Sequence, residues 1–434
     1  MTQSLNNSER HPLCNTAEHV FTRRQLLGGS ATGLIGLGGL GGLVNPLFAK
    51  EMKSKEKQVL FIWIDGGMSQ LESWDPKPNT QFGGPFRSIP TTIPGIHVSE
   101  LMPKTSQIMH KLAVDRGVST FDNSHSAGVP RINRGDPKDR GVIYPYFGSA
   151  VANLMGPGNS GLPPYVWVKP GSGGFKYQDA GFLGPKFGAL AIGEGEPPPN
   201  IILPETLSST NNADRNSLRE FANQQYSQKR PPKFSEAQNF VYDTAQALMQ
   251  KRSLFDNPAP KDVDRYGDTP LGRDMLIGRK MIEAGVRFVK VNSYGWDTHG
   301  DNFNAHASLM PRFDQAFTAV VEDLDERGML DHVLVIAMSE FGRTPRINGH
   351  IGRDHWPEAW SIAMTGTGIK QGAIIGSTND DGTWVTSEPH DIGHFFHTWF
   401  NALGIDSEHT EYINDGQPLP IADEECSPIR ELLS

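Results

Sequence analysis

The residues best able to do chemistry fall in a few short stretches. One is "DGGMS", where Asp65 follows an apolar run and leads into Gly66, Gly67 and Ser69. A second, "WDTHGDNFNAH", offers Asp297, His299, Asp301 and His306 in one short segment. A third runs from "MSEFGRTPRINGH" into "IGRDHW" and carries Glu340, Arg343, His350, Arg353, Asp354 and His355. Carboxylate oxygens mixed with imidazole nitrogens suit zinc, manganese or a related divalent ion. Calcium and magnesium stay open, because coordination number and distance decide among these metals. Sulfur donors are missing: Cys14 and Cys426 are the cysteines, and they form no CxxC pattern. A pair of such ions can activate a nucleophile and neutralise a phosphoryl or sulfuryl oxygen. The planar forks of Arg343 and Arg353 could clamp the same oxyanion.

A nucleophile is sought in "STFDNSHSAG", where Ser124 or Ser126 could attack an ester if a metal lowered its pKa. Plainer roles stand beside each of these. The serines and Asn123 could simply shape a loop. Asp65 could cap the segment after it, and Glu340 could form a buried ion pair with Arg343. "WDTH" has fewer structural excuses, and His355 between Asp354 and Trp356 reads as functional. His350 reads as a loop histidine, and His97, His110, His332, His390, His394 and His397 as structural.

These residues need elements to hold them. "QVLFIWIDGG" is a continuous apolar run ended by glycines, which suits a strand buried on both faces. Strands are also expected near 111–120 and in "PPYVWVKP", and helices over 214–228 and 235–255, divided by the prolines of "KRPPKF". From residue 270 onward, "LGRDMLIGRKMIEAG" reads as a helix and "VRFVKVNS" as a strand. A long amphipathic helix in "ASLMPRFDQAFTAVVEDLDERGML", strands in "HVLVIAMSE" and "WSIAMTG", and a last helix in "DIGHFFHTWFNALG" follow. This alternation predicts an α/β fold with a mostly parallel central sheet and helices on both faces. In such sheets the active site gathers beyond the carboxyl ends of the strands. That places Asp65, the "WDTH" segment and Glu340 on one rim.

The full chain has 434 residues and a formal net charge of −9, with no basic block, which argues against nucleic acid as a partner. Residues 1–49 look like an export segment rather than part of the fold. "FTRRQLLGGSATGLIGLGGLGGLV" pairs Arg23 and Arg24 ahead of a glycine-rich apolar run, the pattern of a twin-arginine signal. Cleavage is expected near Ala49 and would remove Cys14; an uncleaved signal would tether the protein to the membrane. The expected location is periplasmic or extracellular. The main domain is read over 57–406, with 407–434 as a C-terminal tail.

The strings "DGGMSQLESWDPKP", "WDTHGDNF", "DLDERGMLDHVLVIAMSEFGRTPRING", "GRDHW" and "TGTGIKQGAIIGSTNDDG" resemble a widespread secreted bacterial family, domain-of-unknown-function family 1501, placed among alkaline-phosphatase-like proteins. The resemblance implies an alkaline-phosphatase-like sheet and, in active members, divalent metals acting on phosphate or sulfate esters. It matches Asp65 to the aspartate closing the first strand, Asp297 and His299 to metal ligands, and His355 to a late histidine ligand. Where relatives carry two adjacent ligands, this chain has Glu340 and Phe341. The place of the attacking residue falls at or near His125. Together these readings imply an exported metal-dependent hydrolase of phosphate or sulfate esters. Asp65, Asp297, His299, Glu340, Asp354 and His355 would hold the metal, and Arg343 or Arg353 would stabilise the oxyanion. Ser124, His125 or a metal-bound water would start the attack. The substrate would be a small anionic ester or a sulfated or phosphorylated glycan. The alternative is a non-catalytic envelope protein whose relic pocket binds an anionic glycan or a protein partner.

Overall fold

The computed structural model describes residues 57–135, 138–158, 160–171, 174–193, 204–228 and 232–434, so the expected export segment lies outside the described residues. Within them a nine-stranded sheet forms the centre. Its strands are β1 (Gln58–Ile64), β2 (Ala113–Val118), β3 (Tyr165–Lys169), β4 (Gly174–Lys176), β5 (Ala189–Gly193), β6 (Phe288–Ser293), β7 (Val333–Met338), β8 (Trp360–Gly366) and β9 (Ile374–Ile375). Their spatial order is β9-β2-β8-β7-β1-β6-β3-β5-β4. Five helices matter below: α1 (His125–Arg134), α2 (Phe147–Met155), α3 (Pro270–Glu283), α4 (Asn302–Glu326) and α5 (Ile392–Ala402).

β1 lies in the middle because its residues are apolar on both faces. Leu60, Ile62 and Ile64 point into one core with Met275 and Met281 of α3 and Phe313 and Phe317 of α4. Val59, Phe61 and Trp63 point into the other, with Phe147 of α2 and Phe396 and Trp399 of α5. Each such fully buried side chain contributes roughly 1.5–3 kcal/mol, about what ordering one residue costs. On either side of β1 the pairing is parallel: Val59 aligns with Phe288 of β6 and with Leu334 of β7. The mostly parallel sheet covered on both faces is therefore present as expected.

Two strands run against the rest. The edge strand β4 is antiparallel to β5, and β8 is antiparallel to both β7 and β2. "WSIAMTG" is thus a strand, but it returns directly from the loop after β7, and a return without a crossover helix gives an antiparallel pair. The segment set apart as a tail also packs into the domain. Glu411–Asn414 and Gln417–Pro420 form a hairpin, and Tyr412, Ile421, Ile429 and Leu432 are buried in the layer with α5. Among the described residues, no helix is long and apolar enough to cross a membrane.

One charged residue breaks the apolar pattern of the centre. On β6, Val289 and Val291 face the first core, so Phe288, Lys290 and Asn292 face the second. Lys290 is buried there, its ammonium 4.8 Å from the ring centres of both Trp63 and Trp167. It donates to Asn133 Oδ1 at 3.1 Å. Burial pulls its pKa down to about 8, against the attraction of Asp179, Asp65 and Glu340. Between that value and the ordinary 10.5 the unfolded chain binds the extra proton, so stability rises with pH across this window. Below it the cost of the buried charge is fully present. Lys290→Met has no such group. Urea denaturation should therefore show wild type gaining on Lys290→Met between about pH 8 and 10.5, by on the order of 3 kcal/mol at most. A difference independent of pH would contradict a buried, titrating ammonium.

Candidate metal centre

Parallel strands deliver their carboxyl ends to one edge, and the loops beyond them meet there. β1 stops at Asp65, whose N–H still pairs with Ser293 O of β6 at 2.8 Å. Gly66 and Gly67 then turn the chain with φ of 112° and 91°. A Cβ on Gly66 would lie 2.5 Å from the backbone nitrogen of Asp297, and one on Gly67 would lie 2.9 Å from the Phe341 ring. Only glycine lets these three loops touch. β6 leads through Trp296 to Asp297, β7 leads to Glu340, α1 begins at His125, and His355 shortly precedes β8.

Three imidazoles converge on the Asp297 carboxylate. His355 Nε2 and His299 Nε2 each lie 3.1 Å from Asp297 Oδ1, and His125 Nε2 lies 3.4 Å from Oδ2. His299 and His355 bring their Nε2 atoms within 3.0 Å of each other. Ligand atoms of His125, Asp297 and His355 all lie within 4.8 Å of one another. The far nitrogen of every ring is tied to an oxygen. His125 Nδ1 meets Glu340 Oε1 at 2.8 Å, His299 Nδ1 meets Asp354 Oδ1 at 2.7 Å, and His355 Nδ1 meets the Asn123 carbonyl at 2.7 Å. An Nδ1 that donates leaves Nε2 as a lone pair, and this is how metal-binding histidines are oriented.

The acids are tuned by the same contacts. Burial works against ionisation of Asp297, but the hydrogen bond and charge of Arg343 hold its carboxyl well below the usual range. Burial and the neighbouring Glu340 charge push Asp65 upward. Asp65 accepts from Asn292 Nδ2 at 3.2 Å and lies within electrostatic reach of His125. Glu340 is fully buried; its Oε1 accepts from His125 and from Gly66 N, while its Oε2 has no hydrogen-bond partner among the described residues. A buried carboxylate oxygen left without a donor suits a cation. The residues present therefore fit a divalent ion.

The structure moves several expected roles. Arg343 and Arg353 are both 0% exposed, so neither presents a free fork to a substrate. Arg343 donates to the carbonyls of Gly66, Gly67 and Arg353 and, at 2.6 Å, to Asp297 Oδ1, which makes it the anchor of that acid. Arg353 forks onto Glu72 at 2.7 and 3.0 Å and onto the carbonyls of Phe82, Thr344 and Pro345. With four hydrogen bonds from Arg343 and five from Arg353 already made inside the fold, little of either fork remains for the expected oxyanion clamp. Ser124 bonds Ser126 Oγ at 3.3 Å and makes no hydrogen bond to the acid–imidazole group among the described residues. His306 is buried between Ser69 N and Asn302 O, Asp301 holds Asn304, and His350 stays exposed.

His125, reached in the sequence only as the place of an attacking group, is instead the third imidazole of the cluster. Asn348 gave no signal. Its Nδ2 donates to His299 O at 3.0 Å and to Asp354 Oδ1 at 3.1 Å, and its Oδ1 accepts from the backbones of His350 and Gly352. An asparagine in "RING" looks like any turn residue, and only its four bonds set it apart. Glu72 was equally hidden inside "QLESW". Replacing Glu72 by Gln would leave the Arg353 charge buried and unpaired, so unfolding free energy in urea should fall by roughly 3–5 kcal/mol. The exposed pair partner Asp354, changed to Asn, should cost no more than about 1 kcal/mol. Equal effects would refute the structural role given to Arg353.

Among curated proteins none matches the chain. Similar solved structures include the lipoteichoic acid synthase LtaP from Listeria monocytogenes, with 8% identity, 88% of this chain and 79% of that one covered, and a TM-score of 0.37. Another is the C-terminal periplasmic domain of EcEptC from Escherichia coli in complex with Zn, with 9% identity, 87% and 95% covered, and a TM-score of 0.38. A protein in the alkaline phosphatase superfamily from Vibrio parahaemolyticus shares 12% identity over 81% of this chain and 67% of its own, with a TM-score of 0.33. The model of the family described as "Protein of unknown function (DUF1501)" matches residues 56–433, and the chain belongs to that family.

Proposed function

We propose that this protein is an exported, metal-dependent hydrolase of phosphate or sulfate esters. One observation carries the reading: three imidazoles, each fixed through Nδ1 to an oxygen, aim Nε2 at a single ionised carboxylate. His125, Asp297, His299 and His355 would hold the ion, with Glu340 and Asp65 as neighbouring acids. A bound divalent ion supplies Lewis acidity at the ester oxygen and lowers the pKa of water.

The chain's own residues do the rest. Arg343 keeps Asp297 ionised and in place. Asp354 and Asn348 fix the orientation of His299, as Glu340 fixes that of His125. The anionic end of the ester would sit at the start of α1, where free N–H groups and the helix dipole favour negative charge. The hydroxyls of Ser124 and Ser126 stand at that turn. With no base hydrogen-bonded to Ser124 among the described residues, the attack is assigned to water, whose proton passes to the leaving oxygen as the P–O or S–O bond breaks. Export rests on the twin arginines of residues 1–49, which would place the protein in the periplasm or outside the cell.

A second reading draws on Phe341. Its ring stacks on His355 at 4.2 Å and 28°, at the position where relatives are expected to carry a further ligand. A site short of one donor suits a non-catalytic envelope protein that captures an anionic glycan. Elemental analysis and turnover separate the two. The exported protein should contain stoichiometric zinc, manganese, magnesium or calcium, chelation should abolish cleavage of an aryl phosphate or aryl sulfate, and Asp297→Asn should lower kcat/KM by roughly a hundredfold or more. Metal without turnover on either ester supports the second reading. A metal-free protein whose melting ignores chelators would end the first.

A further inference from the structure

We propose a second binding site, for a small acidic sugar, in the cavity at the far end of α1. The cavity measures about 720 Å³ and is lined by Arg134, Tyr146, Gln178, Phe182, Asn414 and Asp415, among others. It is separate from the metal centre. His125 opens α1 and Arg134 closes it, about 14 Å apart at 1.5 Å per residue.

Arg134 is the feature that calls for a ligand. Its guanidinium stacks on the Tyr146 ring at 5.4 Å, yet its Nε is buried with no hydrogen-bond partner among the described residues. By contrast, Arg131 pairs with Asp391, Arg343 with Asp297 and Arg353 with Glu72. Asp179 lies within its electrostatic reach, but among the described residues no carboxylate is ion-paired with it, and a half-buried guanidinium beside a cavity, backed by an aromatic face, is completed by an anion.

The other walls define the rest of the ligand. Asn414 and Asp415 belong to the tip of the C-terminal hairpin, where Asp415 takes φ of 49° ahead of Gly416. With Gln178 they offer amide and carboxylate groups that match hydroxyls. Asp415 also repels a second negative charge, which disfavours polyanions. Phe182, packed edge-on against Tyr144 at 5.3 Å and Tyr412 at 5.4 Å, supplies an apolar face. One anionic group, several hydroxyls and one apolar face describe a uronate, a sialate or a singly sulfated sugar. The volume lies within the usual range for small-molecule sites, roughly 300–1,000 Å³.

Calorimetric titration of the full protein tests this. Glucuronate, N-acetylneuraminate and glucose 6-sulfate are the probes, with glucose and inorganic sulfate as controls. At least one acidic sugar should bind ten times more tightly than either control. Arg134→Gln should weaken that binding tenfold or more, and Asp415→Ala, at an exposed hairpin tip, should weaken it severalfold without touching the core. Asp297→Asn should leave it unchanged, which separates this site from the metal centre whatever the fate of the hydrolase reading. Binding of none of the three sugars overturns the proposal. So does binding equalled by inorganic sulfate, lost in Asp297→Asn, or insensitive to both Arg134→Gln and Asp415→Ala.

Discussion

The rim depends on one buried cation. Arg343 has lost all contact with water, and a guanidinium in that state must have its donors matched or the fold pays several kcal/mol. It finds acceptors on the loop after β1, on Asp297 after β6 and on the backbone of Arg353. Three strand ends are thereby locked to one another before any ligand is considered. Asp297 is the only one of these partners that carries charge, and it faces two ways. One side neutralises Arg343, and the other meets the imidazoles. The cluster is thus the outer half of an electrostatic arrangement whose inner half is structural.

Preorganisation follows from that arrangement. Each imidazole has been turned by a different kind of oxygen: a buried carboxylate for His125, an exposed one for His299, a backbone carbonyl for His355. The three segments that carry them come from distant parts of the chain and hold one another: Asp354, beside His355, fixes His299, and the Asn123 carbonyl, two residues before His125, fixes His355. Rings held in this way need little reordering to accept a cation, so more of the binding energy is kept.

The sequence revealed the parts of this arrangement that leave a periodic or compositional mark. β1, β6 and β7 are unbroken apolar runs, and their ends predict one rim; α4 shows its stripe through Phe313, Phe317 and Val320. Asp297, His299, Glu340 and His355 were legible because acids and imidazoles at strand ends have few plainer uses. Direction was not legible for β8, since an apolar heptamer reads the same whichever way it runs. The arginines were misjudged for a physical reason. A free fork on an oxyanion and a committed fork inside a loop use the same residue, and only burial tells them apart. Lys290 was hidden more deeply, because a lysine among aromatics in a strand looks like an exposed position on an alternating face.

The position of β1 has a consequence for biogenesis. Among the described residues it is the earliest strand and the innermost in the sheet, and both its neighbours, β6 and β7, are synthesised much later. Until they emerge from the ribosome, β1 exposes two unpaired edges and two apolar faces, a template for aggregation. Closure of the second core waits later still, for Ile429 and Leu432 near the last residue. Such a nascent chain gains little from folding piecemeal and much from being shielded until translation is complete.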